Sequence, residues 1–133
     1  MSQEHLETIR LGHQAFSRGD LSEAKSNLTD DVEWGTTGAW PGLEGVYRGP
    51  DALDDWMETL RSEWESFEVS LGEVLREAGN VLVVAEKLAG RGRESGIEVE
   101  MQVFTVYWFE QGKVARRRSF TAPERALEAA ELD

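Results

Sequence analysis

The chain carries two histidines, and one of them, His13, stands where a helix would place an apolar residue. Leu6, Ile9, His13 and Phe16 recur at helical spacing, so His13 lies on an inward-facing stripe, whereas His5 lies on the polar side. An imidazole can accept or donate a proton near neutral pH. We therefore expect His13 either to shuttle a proton in a buried site or to form a hydrogen bond at a cavity wall without chemistry.

Glu86 is the second candidate for chemistry, and it lies in a predicted strand. It faces inward if Leu82 and Val84 do, and burial would then raise the pKa of its carboxyl group. The opposite strand phase turns Val81 and Val83 inward and sends Glu86 to the surface. Both phases are rich in apolar residues, so the sequence leaves the choice open.

Arg118 is the third candidate, and it shares a strand face with Val114 and Phe120. If that face lines a pocket, the guanidinium group can hold a carboxylate or polarise a carbonyl group. Otherwise Arg118 pairs with an acidic residue of a neighbouring strand. The basic run from Arg116 to Arg118 divides its side chains between two strand faces, which favours local pairing over a nucleic-acid site.

Large aromatic side chains come from every segment that could surround a cavity. Ligand pockets are mostly apolar with a few placed polar groups, and the two tyrosines can also donate hydrogen bonds to a carbonyl group. The residues that we expect to line such a pocket are Phe16, Trp34, Trp40, Tyr47, Trp56, Val103, Thr105, Tyr107 and Phe120.

The elements that position these side chains are predicted helices in the first half of the chain and strands in the second. A third helix starts at 49–51 and carries an apolar stripe as far as Trp64. The other expected elements are helices over Gln3–Arg18 and Asp20–Asn27, strands over Val32–Trp34, Glu68–Arg76 and Val81–Gly90, a loop over Gly35–Gly49, and a helical tail over Pro123–Leu132.

A long hairpin, Gly96–Phe120, organises the predicted sheet. Its first arm, Ile97–Phe109, alternates with a period of two, and its odd positions are almost all apolar, so we expect them to face the core or pocket. The even positions become apolar at Phe104, Val106 and Trp108. Because a monomer rarely leaves such a patch uncovered, we expect a homodimer through this outer face.

Composition limits the class of protein. The 133 residues suit a single domain spanning positions 1–133, and the net charge of −12 argues against nucleic acid as a partner. There is no cysteine, signal-peptide pattern or apolar run long enough for a membrane span. We expect an α+β protein in the cytoplasm, with no membrane partner, no cofactor and no metal.

Several phrases of the sequence resemble SnoaL-like proteins of the nuclear-transport-factor-2-like, ketosteroid-isomerase-like superfamily. They are Ala15–Leu21, Asp31–Trp34, Pro41–Gly49, Gly112–Val114 and Ala126–Ala130. The resemblance implies a curved antiparallel sheet whose N-terminal helices close a cone around an apolar pocket, with dimers through the outer sheet face.

Two departures from this resemblance concern the chemistry. SnoaL-like cyclases use a histidine on the central long strand and an aspartate after the last strand, where this chain has Thr105 and Ala122. The aspartate base and the tyrosine–acid pair of ketosteroid isomerases have no counterpart either.

We expect a small apolar or cyclic carbonyl-type ligand, with acid–base chemistry of isomerase, cyclase or hydrolase type. The alternatives are a non-catalytic binding protein and a dimeric accessory module.

Overall fold

The computed structural model describes residues 2–35 and 46–132, which form four helices and six strands. The α+β class expected from the sequence is confirmed. The elements are α1 (Ser2–Arg18), α2 (Leu21–Lys25), β1 (Leu28–Gly35), β2 (Val46–Arg48), α3 (Ala52–Glu63), β3 (Trp64–Ala78), β4 (Val81–Gly92), β5 (Glu98–Glu110), β6 (Lys113–Phe120) and α4 (Pro123–Leu132).

The six strands form one curved, open sheet in the order β2-β1-β6-β5-β4-β3. Neighbouring strands are antiparallel except β1 and β6, which run parallel, so the expected antiparallel sheet is mixed at this pair. The pairing of β3 with β4 changes register between Leu71 and Arg76, whereas the pairing of β4 with β5 is regular. Such bulges bend a strand and strengthen its twist, which helps one side of a sheet to become concave.

Three local features differ from the sequence expectations. The first strand extends over Leu28–Gly35, and β2 lies within the segment expected to be a loop. Trp64 takes extended backbone angles at the end of α3 and is the first residue of β3 rather than the last of the helical stripe. Trp40, a predicted ligand-binding residue, lies outside the described residues.

The hydrophobic core has two parts on opposite sides of the sheet. The larger part packs α1, α2 and α3 against the inner face and contains buried Val103, Tyr107 and Phe109 of β5, as the odd-position pattern predicts. That pattern fails at the start of the arm, where Ile97 is 62% exposed. The inner face is therefore covered only over the middle and end of β5.

The smaller core part lies on the outer face, under α4. Ala126 of α4 packs there with Val83, Val106 and Phe120. Val106, expected to form part of an exposed dimer patch, is fully buried in the single chain. Phe120, expected to line the pocket, also lies in this outer layer because its strand phase places it on that side. No helix within the described ranges has the length and apolar character needed to cross a membrane.

Candidate functional site

Glu86 lies at the centre of the inner sheet face. On β4 it is paired in register with Leu71 of β3 and Val103 of β5, and its side chain is fully buried. Leu82 and Val84 share its phase and join the larger core, whereas Val83 faces the outer layer. The inward phase, which the sequence left open, is thus the one that the fold adopts.

Four side chains bind the Glu86 carboxylate. Thr105 Oγ1 donates to Oε1 at 2.6 Å, and Arg117 Nη2 donates to the same oxygen at 3.2 Å. Tyr107 Oη donates to Oε2 at 2.5 Å, and His13 Nε2 lies 2.9 Å from this oxygen. These partners come from α1, β5 and β6, so the carboxylate joins the helix to the centre of the sheet.

Burial by itself would raise the pKa of Glu86, as the sequence led us to expect. The charge of Arg117, the charge that His13 carries when it is protonated, and hydrogen bonds from His13 and Thr105 outweigh burial and lower this pKa to about 2. Burial and the negative charge of Glu86 raise the pKa of Tyr107 well above its usual value. Glu86 is therefore a carboxylate at neutral pH, and the expected rise of its pKa through burial is corrected: its pKa is lowered.

Arg117, rather than Arg118, is the buried arginine of the site. Trp108 pairs with Arg116 and Phe109 with Val114, so the strand is irregular at Ala115. This extra residue shifts the alternation by one position, which a regular period of two does not anticipate. Arg117 is consequently 1% exposed, while Arg118 lies opposite Val106 on the outer face. Of the two alternatives that the sequence left open for Arg118, the pocket-facing one is therefore corrected: Arg118 is not among the residues that line the cavity.

Arg117 is surrounded by aromatic rings as well as by the carboxylate. Its guanidinium carbon lies 4.6 Å from the ring centroid of Trp34, 5.6 Å from that of Trp56 and 5.7 Å from that of Tyr107. Cations are attracted to aromatic faces at such distances. The ion pair with Glu86 and these rings hold the guanidinium group in one place.

Arg117 and its three aromatic neighbours form part of the wall of a cavity of about 50 Å³ between α1, α3 and the sheet. The wall is mostly apolar. The predicted site residues found in it are His13, Phe16, Trp34, Trp56 and Tyr107, joined by Arg117. Of the others, Thr105 holds Glu86 and Val103 is buried in the same core, while Tyr47 packs against the core without being among the lining residues.

His13 connects the carboxylate with the cavity. Its Nε2 lies 2.9 Å from Glu86 Oε2 and 3.4 Å from Tyr107 Oη, while its buried Nδ1 has no hydrogen-bond partner among the described residues. Because a carboxylate only accepts hydrogen bonds, it favours the tautomer with the proton on Nε2. Nδ1 then carries a lone pair, as a general base requires.

The second histidine is also buried, contrary to the polar position expected for it. His5 is 6% exposed and stacks on Phe109, with ring centroids 4.0 Å apart. Burial, followed by the charge of the chain terminus, lowers the pKa of His5. It packs α1 on the sheet and does not line the cavity.

Sequence reasoning missed Arg117 and the anchoring role of Thr105. The run of three arginines was the only local signal for Arg117, and it does not reveal the irregular strand position that selects the inward one. In the described part of the chain, no cluster of His, Asp or Glu side chains is arranged to hold a metal ion.

No curated protein matches the sequence. Among solved structures, an NTF2-like protein of unknown function from Burkholderia pseudomallei matches with TM-score 0.78 and 20% identity, over 96% of this chain and 97% of that one. TerC, co-crystallised with polyporic acid, matches with TM-score 0.77 and 18% identity, over 96% and 98%.

A protein from Catenulispora acidiphila with a ketosteroid-isomerase-like fold, in complex with trimethylamine, matches with TM-score 0.75 and 11% identity, over 96% of this chain and 94% of that one. These likenesses show the fold. The family model of the SnoaL-like domain matches residues 9–117, a range that contains His13, Glu86 and Arg117. The chain therefore belongs to the SnoaL-like domain family.

Proposed function

We propose that this protein binds a small, mainly apolar carbonyl compound in the cavity and that His13 transfers a proton on the bound molecule. The observation that carries the proposal is that His13, which lines the cavity, contacts the buried Glu86 carboxylate, with Nε2 2.9 Å from Oε2. A permanent carboxylate holds one imidazole nitrogen, and the other is buried without a partner among the described residues. A histidine oriented in this way is suited to general acid–base catalysis.

The charges of the site favour a neutral ligand. Arg117 and Glu86 are paired at 3.2 Å, so their opposite charges balance within the protein. The remaining wall is dominated by apolar and aromatic side chains. A ligand with a net charge would have to be desolvated without an ion partner of its own, which is costly.

The volume of the cavity favours a compact ligand. A dry cavity of about 150 Å³ in another protein holds benzene, and one water needs roughly 10–15 Å³ on a comparable scale. A cavity of about 50 Å³ therefore suits a molecule of a few non-hydrogen atoms or the reactive end of a longer one. A longer ligand could extend past His13 and Val69, which also line an open groove of about 670 Å³ between α1 and β3.

The proposed chemical step is proton transfer next to a carbonyl group. His13 Nδ1 takes a proton from the adjacent carbon, the C–H bond breaks, and its electron pair moves toward the carbonyl oxygen to give an enolate. Return of the proton to carbon regenerates neutral imidazole and releases the same compound or an isomer. Ligand binding is supported by the complexes of two proteins of the same fold, TerC with polyporic acid and the Catenulispora acidiphila protein with trimethylamine.

Exchange of carbon-bound protons in D₂O tests this step. We would incubate hydroxyacetone and 2-butanone with the protein and follow loss of the α-proton signals by ¹H NMR. A positioned general base contributes about 10²–10⁴-fold to a rate, so His13→Gln should lower protein-dependent exchange by at least tenfold. His5→Gln, at the histidine away from the cavity, is the matched control.

Two outcomes would overturn the catalytic part. Exchange that persists in His13→Gln would remove His13 from the mechanism. Binding without any exchange in the wild type would leave the second candidate, a non-catalytic binding protein. That candidate is favoured by the low pKa of Glu86 and by its hydrogen bonds to four side chains of the protein itself.

We also propose a homodimer, acting in the cytoplasm, through the part of the outer sheet face that α4 leaves accessible. Phe104 and Trp108 are half-buried there, whereas Val106 is covered within the chain. Partly exposed aromatic side chains are typical of protein interfaces. A monomer mass in sedimentation equilibrium at micromolar concentration would refute the dimer.

A further inference from the structure

Gly12 lies in the interior of α1, which runs from Ser2 to Arg18. A glycine at such a position destabilises a helix relative to alanine, because glycine loses more backbone freedom on folding. The backbone conformation does not call for glycine, since Gly12 is not among the glycines with positive φ. The missing side chain therefore has no explanation within the helix itself.

Close packing does not explain Gly12 either. Apart from the backbone of α1, no heavy atom of the described residues lies within 4 Å of the position that a Cβ would take there. Two glycines of the sheet are different. A Cβ at Gly72 would lie 3.0 Å from the carbonyl oxygen of Ala85. A Cβ at Gly90 would lie 2.8 Å from the carbonyl oxygen of Ser66. Neighbouring backbone fills the space beside those two glycines, whereas the space over Gly12 is open.

This open space adjoins the cavity. The residues of α1 that line the cavity are Thr8, Ile9, Gly12, His13 and Phe16. Thr8, Gly12 and Phe16 are four residues apart, so they follow one another along one face of the helix, with Gly12 in the middle. A side chain at position 12 would therefore project from the same face as the lining residues before and after it. Gly12 leaves the helix bare at the centre of its contribution to the wall.

We propose that Gly12 is a specificity-determining residue and that the ligand occupies the space over it, against the backbone of α1. This inference rests on the ligand site of the proposed function, but it does not depend on proton transfer. Glycine permits close approach of a ligand to the backbone. Because the cavity holds only about 50 Å³, one methyl group on this wall takes up a large part of the room. The missing side chain thus sets the size of the ligand that the cavity admits.

The test is an NMR titration of the full ¹⁵N-labelled chain with acetone and with 2-butanone, which is larger by one carbon atom. In the wild type, 2-butanone should bind about fourfold more tightly, because it buries one more methylene group. Gly12→Ala adds one carbon atom to the wall. It should weaken 2-butanone binding about tenfold, as overpacking does, and weaken acetone binding less, so that the preference for 2-butanone is lost.

Leu11→Ala is the control for a change in α1 away from the cavity. Leu11 is the neighbour of Gly12 in the chain, is 42% exposed and is not among the lining residues. Leu11→Ala should therefore leave the affinities for both ketones unchanged. If it weakens them as much as Gly12→Ala does, the effect of Gly12→Ala comes from α1 in general and the inference is wrong.

Urea unfolding separates this role from a structural one. Because the space over Gly12 is open, Gly12→Ala should fold and raise the urea midpoint while it weakens binding of 2-butanone. A glycine kept for packing would instead lose stability when it is replaced. A Gly12→Ala protein that is less stable than the wild type would overturn the inference, since the space would then be filled.

The remaining outcomes distinguish this inference from the proposed function. If 2-butanone shifts the backbone amides of cavity residues such as Ile9 and Val114 equally well in the wild type and in Gly12→Ala, this inference fails and the ligand site stands. If both ketones lose affinity by the same factor, Gly12 does not select by size and the inference also fails. If no cavity signal of the wild type responds to either ketone, the proposed ligand class is wrong and this inference fails with it.

Discussion

Replacing Arg117 with methionine keeps much of the side-chain volume and removes the cation that faces Glu86. The two charges are separated by 3.2 Å, and both side chains are at most 1% exposed. At this distance and an effective dielectric constant of ~20, their attraction is about 5 kcal/mol. Removing one partner of a buried pair costs about 3–5 kcal/mol because the other charge stays buried. We expect Arg117→Met to lower the free energy of unfolding by that amount.

Urea unfolding at pH 7, followed by tryptophan fluorescence and circular dichroism, measures this loss. Arg118→Met is the matched control, since the neighbouring arginine lies on the outer face and is only half-buried. It should cost clearly less stability than Arg117→Met, because it leaves no buried charge unpaired. The double variant with Glu86→Gln and Arg117→Met should lose less free energy of unfolding than the two single variants together, because neither charge of the pair is then left unpaired.

The reasoning would be refuted in either of two ways. If Arg117→Met stays within about 1 kcal/mol of the wild type with an unchanged m-value, the buried pair has no net effect on stability. If Arg118→Met destabilises the protein as much as Arg117→Met does, the assignment of the two arginines to opposite faces is wrong.

The remaining predictions concern acid stability and backbone conformation. The folded-state pKa of Glu86 is about 2, below its ordinary value of 4.5, so its stabilising contribution is present above pH 4.5 and is lost as the pH falls toward 2. This loss is about 3 kcal/mol; a pH series of unfolding curves should show it in the wild type and not in Glu86→Gln. Gly12→Ala should stabilise α1 by about 0.5–1 kcal/mol, because a Cβ there meets nothing within 4 Å. Gly19→Ala should instead destabilise by about 1–2 kcal/mol, because Gly19 has φ +78° and its Cβ would lie 3.0 Å from Arg61; thermal unfolding of both variants checks the opposite signs, and equal signs would contradict the reasoning.

Local periodicity was sufficient to predict the long helices and the hairpin. The helical spacing of Ile9, His13 and Phe16 placed His13 on the inner side of α1, and all three residues line the cavity. Alternation along β5 likewise assigned Val103 and Tyr107 to the inner face. These predictions succeed because a side chain's face on a helix or regular strand depends on its position within a repeating backbone geometry.

The phase of β4 could not be read from its own residues. Val83 is buried under α4 while Leu82 and Val84 are buried under the other helices, so both strand faces are apolar. Alternation reports a face only when one side of the sheet meets water. Burial of Glu86 was therefore decided by the docking of helices on both sides of the sheet.

The chemistry of the site was decided only by tertiary structure. An irregularity at one residue of β6 turned Arg117 inward instead of Arg118. Arg117 and His13 then reversed the effect of burial, so the pKa of Glu86 is lowered rather than raised. The sequence alone determined which ionisable residues were available; their roles depend on partners brought together from distant segments, because electrostatic interactions act through spatial distance.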